Sequence, residues 1–164
     1  MKKLITIVAL ALVTISTSAQ KLGHINSQEM MVEMNEYKAA ETELERYQGE
    51  LMRELEMFAT LIKQDEAKYI EDEPNLTEEI KASRYQELMQ KSQNFQGKQG
   101  EAEKKLQDKE AMLMQTVLKK IQEAVQKVAK ENNFTYVFDT SSLHYAGGED
   151  ITPLLKKELG IVTE

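Results

Sequence analysis

Cysteine and tryptophan are absent from this chain of 164 residues, and only 2 prolines and 7 glycines punctuate it. Without cysteine there is no disulfide, no thiolate metal site, no cysteine nucleophile and no lipidated cysteine to tether the product to a membrane. So little proline and glycine leaves room for long uninterrupted helices. Charged residues at 30% and aromatics at 6% fit solvated helices better than one compact core. A basic face is missing too: the formal net charge is −7, and phosphate binding needs the opposite sign, which excludes nucleic acid as a general partner.

What is present begins with a leader. MKKLITIVALALVTISTSA has two lysines, an apolar run from Leu4 to Ile15 and then small residues, the three parts of a secretory signal. Thr17 and Ala19 suit the −3 and −1 sites of a signal peptidase, so cleavage is expected after Ala19 and an exported chain from Gln20. The apolar run is too short for a stable membrane anchor. Loss of Lys2 and Lys3 leaves 19 basic against 28 acidic residues, a net charge of −9.

QKLGHIN, with Leu22 and Ile25, reads as a strand entering a helix capped by Asn26 or Ser27, with Glu29 completing a capping box. No proline follows Gln28 until Pro74, and the helix shows two rows at a spacing of seven: Tyr37, Leu44, Leu51 and Phe58, and then Leu55, Ile62 and Tyr69. That is a coiled-coil seam. Pro74, Asn75 and the capping residue Thr77 mark a hairpin tip near 72–77. A second helix is expected over about 78–131, carrying Leu88, Phe95, Ala102, Leu106, Leu113, Val117, Ile121, Ala124, Val125 and Val128. Gly97 and Gly100 make a soft point in it.

Beyond Asn133 the pattern changes. FTYVFDT alternates like a strand, SSLHYAGG reads as a second short strand over Leu143 to Tyr145, and EDITPLLKKELG reads as a short helix with Thr152 at the N-cap, Pro153 at the first position and Gly160 as the stop. Strands this short need company. Assembly between protomers, through Leu22, Ile25, Val125, Val128, Tyr136, Phe138, Leu143 and Tyr145, is the simplest way to protect their edges. The expected fold is mainly α: a long antiparallel coiled-coil hairpin over 34–112, on a small β body built by 20–33 and 113–164.

The sequence has no G-x-S-x-G, no phosphate loop and no H-E-x-x-H, so an enzyme is not expected, nor a cofactor. His24 and His144, both placed in strands, have no helical partner for a metal. The acidic tip has Ala67 and Tyr69 where a calcium loop needs oxygen ligands, and Ile70 where it needs glycine.

KLGHINSQEMM near the start and VLKKIQEAVQKVAKENNFTYVFDTSSLHYAGGEDITPLLKKELG near the end resemble the first strand, and the helix, paired strands and terminal helix, of the Skp/OmpH family of periplasmic chaperones. The run from Ala124 to Thr140 is the most specific; 34–109 matches only in length and heptad character. The resemblance implies a periplasmic homotrimer without nucleotide or other cofactor, whose hairpins surround a cavity that holds unfolded outer-membrane proteins. Because the chain is acidic where the best-known member is basic, no lipid-binding residues are carried over and membrane or lipid contact stays open. Met52, Met57, Tyr69, Tyr85, Met89 and Phe95 are the candidates for client contact, since thioether and aromatic side chains suit promiscuous apolar surfaces. Packing within the seam is the other reading of the same residues. A different class of function also fits, a secreted coiled-coil spacer or adaptor with one defined partner.

Overall fold

The computed structural model describes residues 20–161; the expected leader and its cleavage after Ala19 lie outside them. The elements run β1 (Leu22–Ile25), α1 (Ser27–Glu33), α2 (Asn35–Asp72), a 3-10 turn (Glu73–Asn75), α3 (Glu78–Glu131), β2 (Tyr136–Asp139), a second 3-10 turn (Thr140–Ser142), β3 (Glu149–Asp150) and α4 (Thr152–Glu158). Contacts divide the chain into two compact units. One is 31–120; the other joins the segment up to residue 30 with the segment from 121 onward.

In the hairpin unit, α2 has 38 residues, roughly 57 Å at the helical rise. It ends where Pro74 enters the 3-10 turn, and Thr77 restarts the chain: its carbonyl accepts the Lys81 N–H at 2.9 Å and its Oγ1 accepts the Ile80 N–H at 3.5 Å. Tyr37, Leu44, Leu51, Leu55, Phe58, Ile62 and Tyr69 are all buried or half-buried on α2, as are Ala40 and Tyr47 between them. Leu88, Phe95, Ala102, Leu106, Leu113 and Val117 are their counterparts on α3. Cross-helix ion pairs fix the direction: Lys120 reaches Glu36, Lys109 reaches Glu43 and Lys91 reaches Asp65. From Glu36 to Asp65 is 29 residues forward, and from Lys120 to Lys91 is 29 back, so the helices are antiparallel. α3 stays helical through Gly97 and Gly100, and a Cβ at either would meet nothing within 4 Å.

Helix formation does not begin as one piece. Met34 is extended, with φ −65° and ψ 137°, and separates α1 from α2, where the sequence shows no proline or glycine to break a helix. Its side chain has no exposure. Burying an unbranched thioether offsets the loss of a regular turn, a tertiary effect that local propensity cannot register.

In the other unit the three strands lie in the order β2-β1-β3, all parallel. Leu22 pairs with Tyr136 and His24 with Phe138 on one side of β1, and Gly23 with Glu149 on the other. One face of the sheet is covered. Gly23 and Ile25 are buried there, and a Cβ on Gly23 would sit 3.0 Å from Phe134 Cδ1. Ile121, Ala124, Val128, Phe134, Ile151 and Leu155 complete this core.

Three expectations need correction here. Leu143 to Tyr145 is not a strand and His144 is therefore not a strand residue; the third strand is Glu149–Asp150. Asp139 draws the chain into a 3-10 turn first, its Oδ1 accepting the Ser141 N–H at 2.9 Å. Nor is Thr152 the N-cap of α4: it is the first helical residue, and Asp150 supplies the acceptor, Oδ1 taking the Thr152 N–H at 2.9 Å. Gly160 does end that helix, at φ +69°, where the Ile161 N–H reaches the Lys156 carbonyl at 2.8 Å in a Schellman arrangement.

Candidate functional site

The described residues offer exposed apolar surface. None of their His, Asp and Glu side chains gather into a group able to hold a metal ion, and no helix among them is long and apolar enough to cross a membrane. Two apolar surfaces remain.

The first runs along the hairpin. Met52, Met57, Tyr85 and Met89 are each more than half exposed, because they stand on helix positions that the antiparallel seam does not use. Tyr69 and Phe95 are half-buried: Tyr69 is on the seam row of α2, and Phe95 lines a cleft between the helices with Phe58, Leu61 and Ile62. Sequence reasoning missed Leu61, Ile70, Ile80, Met112 and Leu118, which are also exposed. Their signal was available, since each falls between heptad rows. Acidic and basic groups hold the frame around them. Arg46 donates to Glu43 at 2.8 Å and also pairs with Glu50, while Lys109 lies 2.9 Å from Glu43. The Arg46 hydrogen bond, and then that of Lys109, hold the Glu43 carboxyl down at about 2. Lys120 does the same in direction for Glu36.

The second surface is the open face of the sheet. Parallel register puts Leu22, His24, Tyr136 and Phe138 on one side. Leu22, Tyr136 and Phe138 are exposed, with the two rings stacked at 6.1 Å between centroids. Buried His24 Nδ1 has no hydrogen-bond partner in the chain. Of the other residues expected in the body, Ile25 and Val128 are buried in the core, Val125 and Leu143 are half-buried, and Tyr145 is 86% exposed.

Polar contacts that the sequence did not disclose tie the chain ends together. The Asn26 N–H donates to Thr152 Oγ1 at 3.0 Å, and Thr152 Oγ1 donates to Asp150 Oδ1 at 2.6 Å. The Thr152 hydrogen bond is the main reason the Asp150 carboxyl sits below its ordinary value. Asn26 Oδ1 accepts the Glu29 N–H at 3.1 Å, as its capping role requires, and Lys156, largely buried, donates to Glu29 at 2.9 Å. For Asp139, burial opposes ionisation, but hydrogen bonds from Ser27 and Ser141 outweigh it and lower its pKa.

A family model described as outer membrane protein (OmpH-like) matches residues 21–159, a span that includes both surfaces. The chain belongs to that family. Its fold is similar to the crystal structure of a candidate outer membrane chaperone (OmpH-like) from Caulobacter crescentus, with a TM-score of 0.76 at 15% identity over 88% of this chain and 86% of the other. At that identity the likeness concerns the fold alone. Among curated proteins, no sequence matches.

Proposed function

We propose that this OmpH-like chain is an ATP-independent holdase of the periplasm, working as a homotrimer that keeps unfolded outer-membrane proteins from aggregating. The observation that carries the reading is the set of exposed thioether and aromatic side chains, Met52, Met57, Tyr85 and Met89, at hairpin positions outside the seam. Each such contact is weak and adaptable, and many together hold a chain without selecting one sequence. Membership of the OmpH-like family supports a chaperone role in general. The open face of the parallel sheet supports self-assembly, because parallel sheets are ordinarily covered on both faces.

The test is to dilute a urea-unfolded outer-membrane barrel protein into buffer with and without this protein, free of nucleotide, and to follow light scattering. Suppression of aggregation at about one trimer per client is the expected result. Unchecked aggregation defeats the holdase reading. It would favour the spacer or adaptor instead, for which the unbroken helicity of α3 across Gly97 and Gly100 is the supporting observation.

A further inference from the structure

The hairpin unit has a cleft that its seam leaves open. Between α2 and α3, about 330 Å³ lies beside Phe58, Leu61, Ile62 and Phe95, room for a large side chain and not merely for a water. Leu61 is half exposed at its mouth. Lysines stand on either side. Lys91 is committed to its own chain, with Nζ 2.5 Å from Asp65 Oδ2. Lys98 is not: its Nζ lies 4.3 Å over the centroid of the Phe58 ring, and among the described residues it makes no ion pair. Glu54 and Glu101 line the small recess next to it without pairing with it.

An ammonium held over an aromatic floor, in a chain of net charge −7, leaves a cation at the rim of an apolar space. We propose that this cleft is a discrete docking site for an apolar side chain of an unfolded polypeptide that has an acidic neighbour. The apolar group enters between Phe58, Leu61 and Phe95, and the carboxylate pairs with Lys98. Charge complementarity selects this occupant, because of the two lysines at the cleft Lys91 is already paired with Asp65, whereas Lys98 is a cation without an ion pair. The inference rests on the holdase reading for its class of ligand and adds a local sequence preference to it.

Three labelled, disordered peptides test it by fluorescence anisotropy, identical except for a central Phe-Glu, Phe-Lys or Ser-Glu. The exported protein should bind Phe-Glu about two- to fivefold more tightly than Phe-Lys, as an exposed ion pair allows. It should bind Phe-Glu roughly tenfold more tightly than Ser-Glu, as partial burial of a ring allows. Lys98→Glu should reverse the first preference, and Leu61→Ser should weaken both Phe peptides while leaving the helical circular dichroism unchanged. If Lys98→Glu does not fold, Lys98→Gln should cancel the preference without adding a charge. Equal affinity for Phe-Glu and Phe-Lys, a preference that survives both Lys98 variants, or no binding of any peptide overturns the proposal. Aggregation of the unfolded barrel protein is measured alongside: suppression without a peptide preference removes the cleft and keeps the holdase, whereas a preference without suppression removes the holdase and keeps the cleft.

Discussion

Thr152 shows how one hydroxyl can join distant parts of a chain. It is buried, accepts the Asn26 N–H from the entrance to α1 and donates to Asp150 at the end of β3. Thr152→Val keeps the shape but removes both bonds and leaves the Asn26 donor without its partner, so stability should fall by about 1–3 kcal/mol. Thr152→Ser should recover most of that. Thermal unfolding of the two variants measures it, and a Val variant as stable as the Ser variant would show that water takes over both roles. None of this was legible beforehand: a Thr-Pro pair suggests a helix start, and it takes the fold to show that Asp150 provides the cap. Glu29 was readable as a capping residue, but its partner Lys156 is 127 residues away, beyond any local pattern.

Elements were more legible than residues, where periodicity carried the information. Two heptad rows and Pro74 are enough to read an antiparallel hairpin, since a sevenfold repeat can bury its stripe only against another helix. The break at Met34 and the strand at Glu149–Asp150 were not readable. A two-residue strand of acidic side chains has no alternation, and it exists because β1 offers an unpaired edge. The end of α3 also depends on one position. Asn133 sits at φ +57°, with the Phe134 N–H bonded to the Ala129 carbonyl at 2.9 Å, a Schellman stop. Asn133→Gly should stabilise by up to about 1 kcal/mol and Asn133→Ala should cost about 1 kcal/mol, by chemical denaturation. Between the hairpin helices, Glu43 links Arg46 on its own helix with Lys109 on the other. Its carboxyl is held down at about 2 against an ordinary 4.5, so its contribution is complete above pH 4.5 and disappears as the pH falls through 2. Wild type and Glu43→Gln should therefore differ in thermal stability at neutral pH and converge between pH 4.5 and 2. A difference that stays constant over that range would mean that the pairing of Glu43 with its two cations adds nothing.

For the whole molecule, the open question is what covers the second face of the sheet. Three parallel strands cover one face with Ile151, Phe134 and Leu155 and leave Leu22, Tyr136 and Phe138 in solvent on the other. An exposed aromatic pair is costly in water and inexpensive once another protein surface seals it. A second and third copy of the same chain is the proposed seal, and the edge-strand argument from the sequence points the same way. Phe138→Glu would place a charge beside Tyr136 without touching the covered face, so the protomer should keep its helical content. In multi-angle light scattering its mass should fall from that of a trimer to that of a monomer. If trapping depends on assembly, suppression of barrel-protein aggregation should disappear with it. A monomeric Phe138→Glu that still suppresses aggregation would assign the activity to the single hairpin, and Met52, Met57, Tyr85 and Met89 would then act without a cage.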